Sequence, residues 1–176
     1  MSNVEDLRIE LGGGLTPRGE SFVNVDKRDL PGVEHVCDFE RDDLPFGDGS
    51  AVEVYSSHCF EHFEYGRVLR EVVRVCRTGA TVTIRVPCWL SENAVTPGHI
   101  HTVGPEEAER FGGRENEHYW HGSAKRLQLT RTRHIAGRHF AEAQGLFPHL
   151  SEDQVLRFIP NACAEIEYVF QVVENQ

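Results

Sequence analysis

Apolar positions gather first in short runs. Leu7–Leu11, Phe22–Val25, Val33–Cys37 and Val52–Ser56 are each about as long as a strand. "TVTIRV", Thr81–Val86, is β-branched almost throughout and predicts a fifth. Between the last two the period changes. In "FEYGRVLREVVRVCRTG", Val68, Leu69, Val72, Val73, Val75 and Cys76 recur at helical spacing, and Gly79 is expected to stop the helix. Strand, amphipathic helix and strand make a βαβ unit, so the sheet is at least partly parallel. Further on, "LRFIPNACAEIEYVFQVV" predicts two strands around Pro160–Asn161, the second over Ala164–Val173. Residues 87–150 are polar, rich in His and Arg, and only partly helical in pattern. They are expected to form a substrate-side insertion within a single domain, 1–176, because no repeat, low-complexity tract or linker divides the chain.

The loops are shorter than this pattern needs. About ten residues separate the first strand from the second, and fewer the second from the third, whereas a parallel crossover with a full helix takes a dozen or more. Helices near the N-terminus are therefore reduced, and apolar sheet surface is expected there, covered by residues 105–150 or by a second copy. The expectation is a homodimer.

Composition narrows the class. The chain has 176 residues, 39% of them apolar and 26% charged, which suits one folded domain. No apolar stretch approaches the roughly 20 residues of a membrane span, and no signal-peptide pattern opens the sequence, so a cytoplasmic protein without membrane contact is expected. Cys37, Cys59, Cys76, Cys88 and Cys163 form no CxxC pair and read as reduced, buried thiols. The net charge of −10 argues against a protein that coats nucleic acid. It is uneven, however: seven Lys or Arg fall between Arg110 and His139 against Glu115 and Glu117. That stretch is either a solvated helical surface paired with acidic neighbours or a contact for an anionic substrate.

Candidate chemistry starts at Glu10-Leu11-Gly12-Gly13-Gly14, a glycine turn after a strand, which lets a ligand approach the backbone. Asp26 closes the second run, where a carboxylate can accept both hydroxyls of a ribose. Asp38 follows the third, ahead of "DDLPFGDGSAVEVYSSHCFEHF".

As a set, ELGGG, NVD, CDFERDDLPFGDGS, SSHCFEH, LREVVRVCRTGA and TVTIRVP resemble the class I S-adenosylmethionine-dependent methyltransferases, closest to short members acting on small molecules. The likeness spans about residues 7–101. It implies an α/β, Rossmann-like, mostly parallel seven-stranded sheet in the order 3-2-1-4-5-7-6 with strand 7 antiparallel. It implies S-adenosyl-L-methionine as cofactor, with Glu10, Gly12, Gly13 and Gly14 at its methionine part and Asp26 at the ribose. Asp38 and Phe39 would meet the adenine, and Ser57 and His58 would lie beside the sulfonium. Two departures stand out: "CRTGA" replaces the usual Leu-Lys-Pro-Gly-Gly turn, and the helix after the glycine turn is curtailed.

Methyl transfer to a small-molecule hydroxyl or amine gains from a general base. His58 and His62 after the fourth strand, and His99 and His101 after the fifth, are the candidates. Glu61 reads as a residue that caps or orients His62. The pairs His58/His62, His99/His101 and His118/His121 also suggest a metal, but no thiolate or carboxylate completes an obvious set, and none is expected. Trp89, Tyr119 and Trp120 would wall a pocket or pack. Two other readings stay open: a nucleic-acid or nucleotide methyltransferase using the basic 110–139 stretch, and a silent cofactor-binding or assembly module.

Overall fold

The computed structural model describes residues 6–112 and 120–175. Its strands are β1 (Leu7–Leu11), β2 (Val23–Asp26), β3 (His35–Val36), β4 (Ala51–Ser57), β5 (Cys76–Pro87), β6 (Lys125–Ala136) and β7 (Cys163–Glu174). The described helices are α1 (Tyr65–Val75), α2 (Pro105–Gly112), α3 (Phe140–Leu146) and α4 (Glu152–Phe158). One sheet takes the order β3-β2-β1-β4-β5-β7-β6. β7 runs antiparallel to β5 and β6, and the other pairs are parallel. This is the order and polarity that the resemblance implied. No described helix is long and apolar enough to cross a membrane.

Three local expectations fail. β6 lies inside the basic stretch, where "KRLQLTRTRHIA" alternates along a strand rather than forming a helical surface. The segment read as a strand before Pro160 is instead α4. Ser151 caps it by accepting from the Gln154 amide, and the Gln154 side chain accepts the Ser151 amide, a local arrangement that outweighs the β-like Val-Leu and Phe-Ile pairs. Gly79, at φ +87°, sits within β5, and α1 ends four residues earlier at Val75.

The two faces of the sheet differ in kind. Alternation puts Ile9, Leu11, Val25, Val54, Val82, Ile84, Val86, Ile166, Tyr168 and Phe170 on one face, all buried in a single core. α1 closes that core with Val68, Leu69, Val72 and Val73, and α2 adds Ala108 and Phe111. The opposite face carries Arg8, Glu10, Asn24, Glu53, Tyr55, Thr83, Arg85, Glu165 and Glu167. It is an ion-pair ladder. Arg8 lies 3.6 Å from Glu53, Arg85 bonds Glu165, and Glu167 takes Arg133 at 3.1 Å and Arg131 at 3.7 Å. The loop between β1 and β2 lays Phe22 and the Arg18 guanidinium over the Tyr55 ring, the latter at 3.9 Å. The crossover helices are indeed reduced, but among the described residues the sheet surface in their place carries mainly charged and polar side chains. This removes the motive for a second copy on that face.

α1 also fastens the loop after β3. Arg67 donates to the carbonyls of Phe39 and Asp42, and Arg74 to those of Leu44 and Phe46. Glu71, buried on the same helix, accepts from the Leu44 amide and from Arg74.

Candidate functional site

A cavity of about 360 Å³ opens at the carboxyl edge of β1, β2 and β4. Its lining includes Gly12, Asp26, Arg28, Asp38, Phe39, His58, Cys59, His62 and Gly98. Such an edge is where parallel α/β sheets bind ligands.

The glycine turn forms the floor. Gly12 adopts φ +76°, and its amide bonds the Val25 carbonyl at 2.8 Å. A Cβ there would stand 2.9 Å from Cβ of Cys59 and closer still to its sulfur. At Gly13 a Cβ would meet Asn24 Oδ1 at 2.6 Å. The turn is thus confined to glycine by neighbours on β2 and after β4. Behind it, buried Glu10 accepts from the Arg18 amide at 2.6 Å; burial pushes its carboxyl up. Glu10, Gly13, Gly14 and Ser57 do not line the cavity, and Ser57 follows Tyr55 onto the ion-pair face.

Asp26 is almost fully buried and heavily engaged. Its oxygens accept from the Gly14 amide at 3.1 Å, the Arg28 amide at 2.9 Å, and the Arg28 guanidinium at 3.0 and 3.1 Å. Burial opposes its charge, but Arg28 and the amides outweigh this and hold the carboxyl below its usual range. Arg28 is itself largely exposed, so Asp26 carries a removable partner. Asp38 carries a loose pair with Arg41 at 3.8 Å, and Phe39 stands edge-on to Phe63 at 5.4 Å.

The histidines separate into distinct roles. His58 holds φ 52°, a strained value for a non-glycine residue. Its Nε2 lies 2.9 Å from Glu165 and its Nδ1 3.4 Å from Glu61; the Glu61 contact, then Glu165, draws its pKa up. His62 lies on the cavity wall with Nδ1 3.0 Å from the Gly98 carbonyl. That oxygen can only accept, so Nδ1 carries the proton and Nε2 the lone pair. His99 stands edge-on to His62 at 4.8 Å. His101 is turned to Glu64 at 3.1 Å and to the Tyr65 ring, away from the cavity.

Glu61 does not cap or orient His62. It is buried against His58 and His99, 4.0 Å from His99 Nε2, and so supplies the carboxylate that the sequence did not reveal. Trp120 packs in the core and donates to the Phe111 carbonyl at 3.0 Å, whereas Trp89 is exposed. His118 and Tyr119 lie outside the described residues. Arg28 and Glu165 escaped the sequence reading, and Cys59 and Glu61, both within "SSHCFEH", were read only as a buried thiol and a partner of His62.

Residues 19–84 match the methyltransferase domain family. No curated protein matches by sequence. Among solved structures, a chain of the complex between the Haloferax volcanii Trm112 methyltransferase activator and a methyltransferase is 18% identical, with 96% of this chain and 82% of that one covered at a TM-score of 0.56. A SAM-dependent methyltransferase of Archaeoglobus fulgidus gives 13%, 94%, 86% and 0.57 in the same terms. Geranyl diphosphate C-methyltransferase from Streptomyces coelicolor, crystallised with Mg2+, geranyl diphosphate and S-adenosyl-L-homocysteine, gives 13%, 97%, 72% and 0.55. Residues 19–84 thus match the methyltransferase domain family, and the chain shares its fold with these solved methyltransferases.

Proposed function

We propose that this chain binds S-adenosylmethionine in the cavity at the carboxyl edge of the sheet and methylates a small-molecule hydroxyl or amine. One observation carries the reading: Gly12 of the glycine turn, Asp26 and Asp38–Phe39, far apart in sequence, line one cavity with His58 and His62 on its wall. The residues fit the cofactor. Gly12 leaves backbone open where a side chain would collide with Cys59, Asp26 offers a charged acceptor to a diol, and Phe39 gives an apolar wall beside the Asp38 carboxylate.

When bound, the cofactor supplies a methyl group activated on a sulfonium. The chain's own work is to hold the acceptor and take its proton. His62 suits proton uptake, since its Nε2 lone pair is free on the cavity wall. His58, clamped by two carboxylates, is less free to act and orients the loop after β4. Methyltransferases of similar fold crystallised with small molecules, geranyl diphosphate in one and N-methylheliamine in another, support a small substrate here. The nucleic-acid reading loses support, because Arg131 and Arg133 are paired with Glu167.

Calorimetry with S-adenosylhomocysteine tests the reading. Binding is expected, and Asp26→Ala should weaken it by roughly 10–100-fold, as charge-assisted hydrogen bonds are worth about 1.5–3 kcal/mol. A folded chain that binds nothing at millimolar ligand sinks the proposal.

A further inference from the structure

Glu61 is a buried carboxylate with unmet needs. It is 2% exposed, and neither oxygen receives a hydrogen bond. His58 Nδ1 lies 3.4 Å away without hydrogen-bond alignment. His99 Nδ1 is likewise buried without a partner. Removing a carboxylate from water without hydrogen bonds is costly, and folded proteins tolerate it where a cation completes the site.

The neighbours are those a cation needs. Glu61, His62 and His99 each present a ligand atom, all within 4.8 Å of one another. Backbone bonds set the geometry: the Glu61 carbonyl accepts the amides of Ile100 at 2.8 Å and His101 at 3.3 Å, which brings His99 beside it. The Gly98 carbonyl fixes His62 with Nε2 free, the outer-shell bond that metal-ligating histidines usually make.

We propose that Glu61, His62 and His99 bind a divalent transition-metal ion, Zn2+ or Fe2+, with open coordination positions facing the cavity. Two imidazoles and one carboxylate suit either ion and leave positions for water or substrate. Ligand atoms on a tetrahedral zinc lie about 3.3 Å apart, so binding draws the three together by about an ångström. The open positions face the wall formed by His62 and Gly98 and suit an acceptor with a hydroxyl or carboxylate oxygen. This role rests on the methyl-transfer reading, whereas ion binding does not. With an ion on its Nε2, His62 no longer takes the proton, and coordination acidifies the acceptor instead.

Equilibrium dialysis of the full chain against Zn2+ tests the site. One ion per chain is expected, and Glu61→Gln should weaken binding by more than the roughly 10–100-fold that loss of an outer-shell partner costs. Glu165→Gln, whose side chain meets His58 and Arg85 but none of the three proposed ligands, should change it less than tenfold. If Glu61→Gln does not fold, His62→Gln, at an exposed side chain, takes its place. Co2+ should bind without the intense thiolate-to-cobalt absorption band; that band would assign the ion to cysteines and overturn the proposal. So would a chain that binds no Zn2+, or equal affinity in the wild type and the ligand variants. Calorimetry with S-adenosylhomocysteine on the same samples separates the two readings: metal without cofactor binding removes only the methyl-transfer reading, and cofactor without metal removes only this site.

Discussion

Replacing Gly12 by Ala tests the floor of the cavity directly. The backbone at φ +76° disfavours any Cβ by about 1–2 kcal/mol. The new methyl would also press on Cys59, whose own Cβ is 2.9 Å from the position it would take. Overpacking of this kind typically costs about 1–3 kcal/mol. Together the loss is about 2–5 kcal/mol, a large share of the roughly 5–15 kcal/mol of a typical domain. Urea unfolding with a shared slope reads the difference from the midpoints. A double-mutant cycle separates its two parts. In the background of Cys59→Gly the collision vanishes and the backbone cost stays, so the two changes should couple by about 1–3 kcal/mol. Gly12→Ala within about 0.5 kcal/mol of the wild type, or a cycle with no coupling, would refute both the conformation of the turn and its contact with the loop after β4.

Glu71 gives a pH-dependent prediction. Burial opposes its charge, but Arg74 and the Leu44 amide outweigh this and hold its folded pKa below the usual value of a free glutamate. Its contribution is therefore present above that value and lost as pH falls through the depressed folded pKa. Stability curves of wild type and Glu71→Gln should converge in that acidic window, and parallel curves would show that the carboxylate contributes no such linkage. The assembly state is testable as well. The helix-poor face is charged, so light scattering at micromolar concentration should report a monomer of 19.9 kDa. A mass twice that would restore the homodimer.

The sheet was legible where its burial is one-sided in a simple way. β1, β2, β4 and β5 each carry apolar residues on the core face, and the motifs at their carboxyl ends fall around one cavity. β6 was hidden because its outward residues, Arg131 and Arg133, read as a basic surface, while Thr132 and His134 dilute its inward face. α4 was hidden by β-like residues, although Ser151 and Gln154 carried the capping signal. The candidate metal site was illegible for a different reason. His99 reaches Glu61 only through backbone bonds between the Glu61 carbonyl and the Ile100 and His101 amides, a contact that no local pattern encodes. The expected apolar patch failed because short crossovers predict a missing layer, not the polarity of the face beneath.

That charged face has a thermal consequence. Heat capacity rises on unfolding as apolar surface meets water and falls as polar surface does, giving about 12–15 cal/mol/K per residue in typical domains. A sheet that buries hydrocarbon on one side and ion pairs on the other exposes less apolar surface for its length. Its heat-capacity change should therefore fall below that range, and its stability should vary more gently with temperature, with less tendency to unfold in the cold.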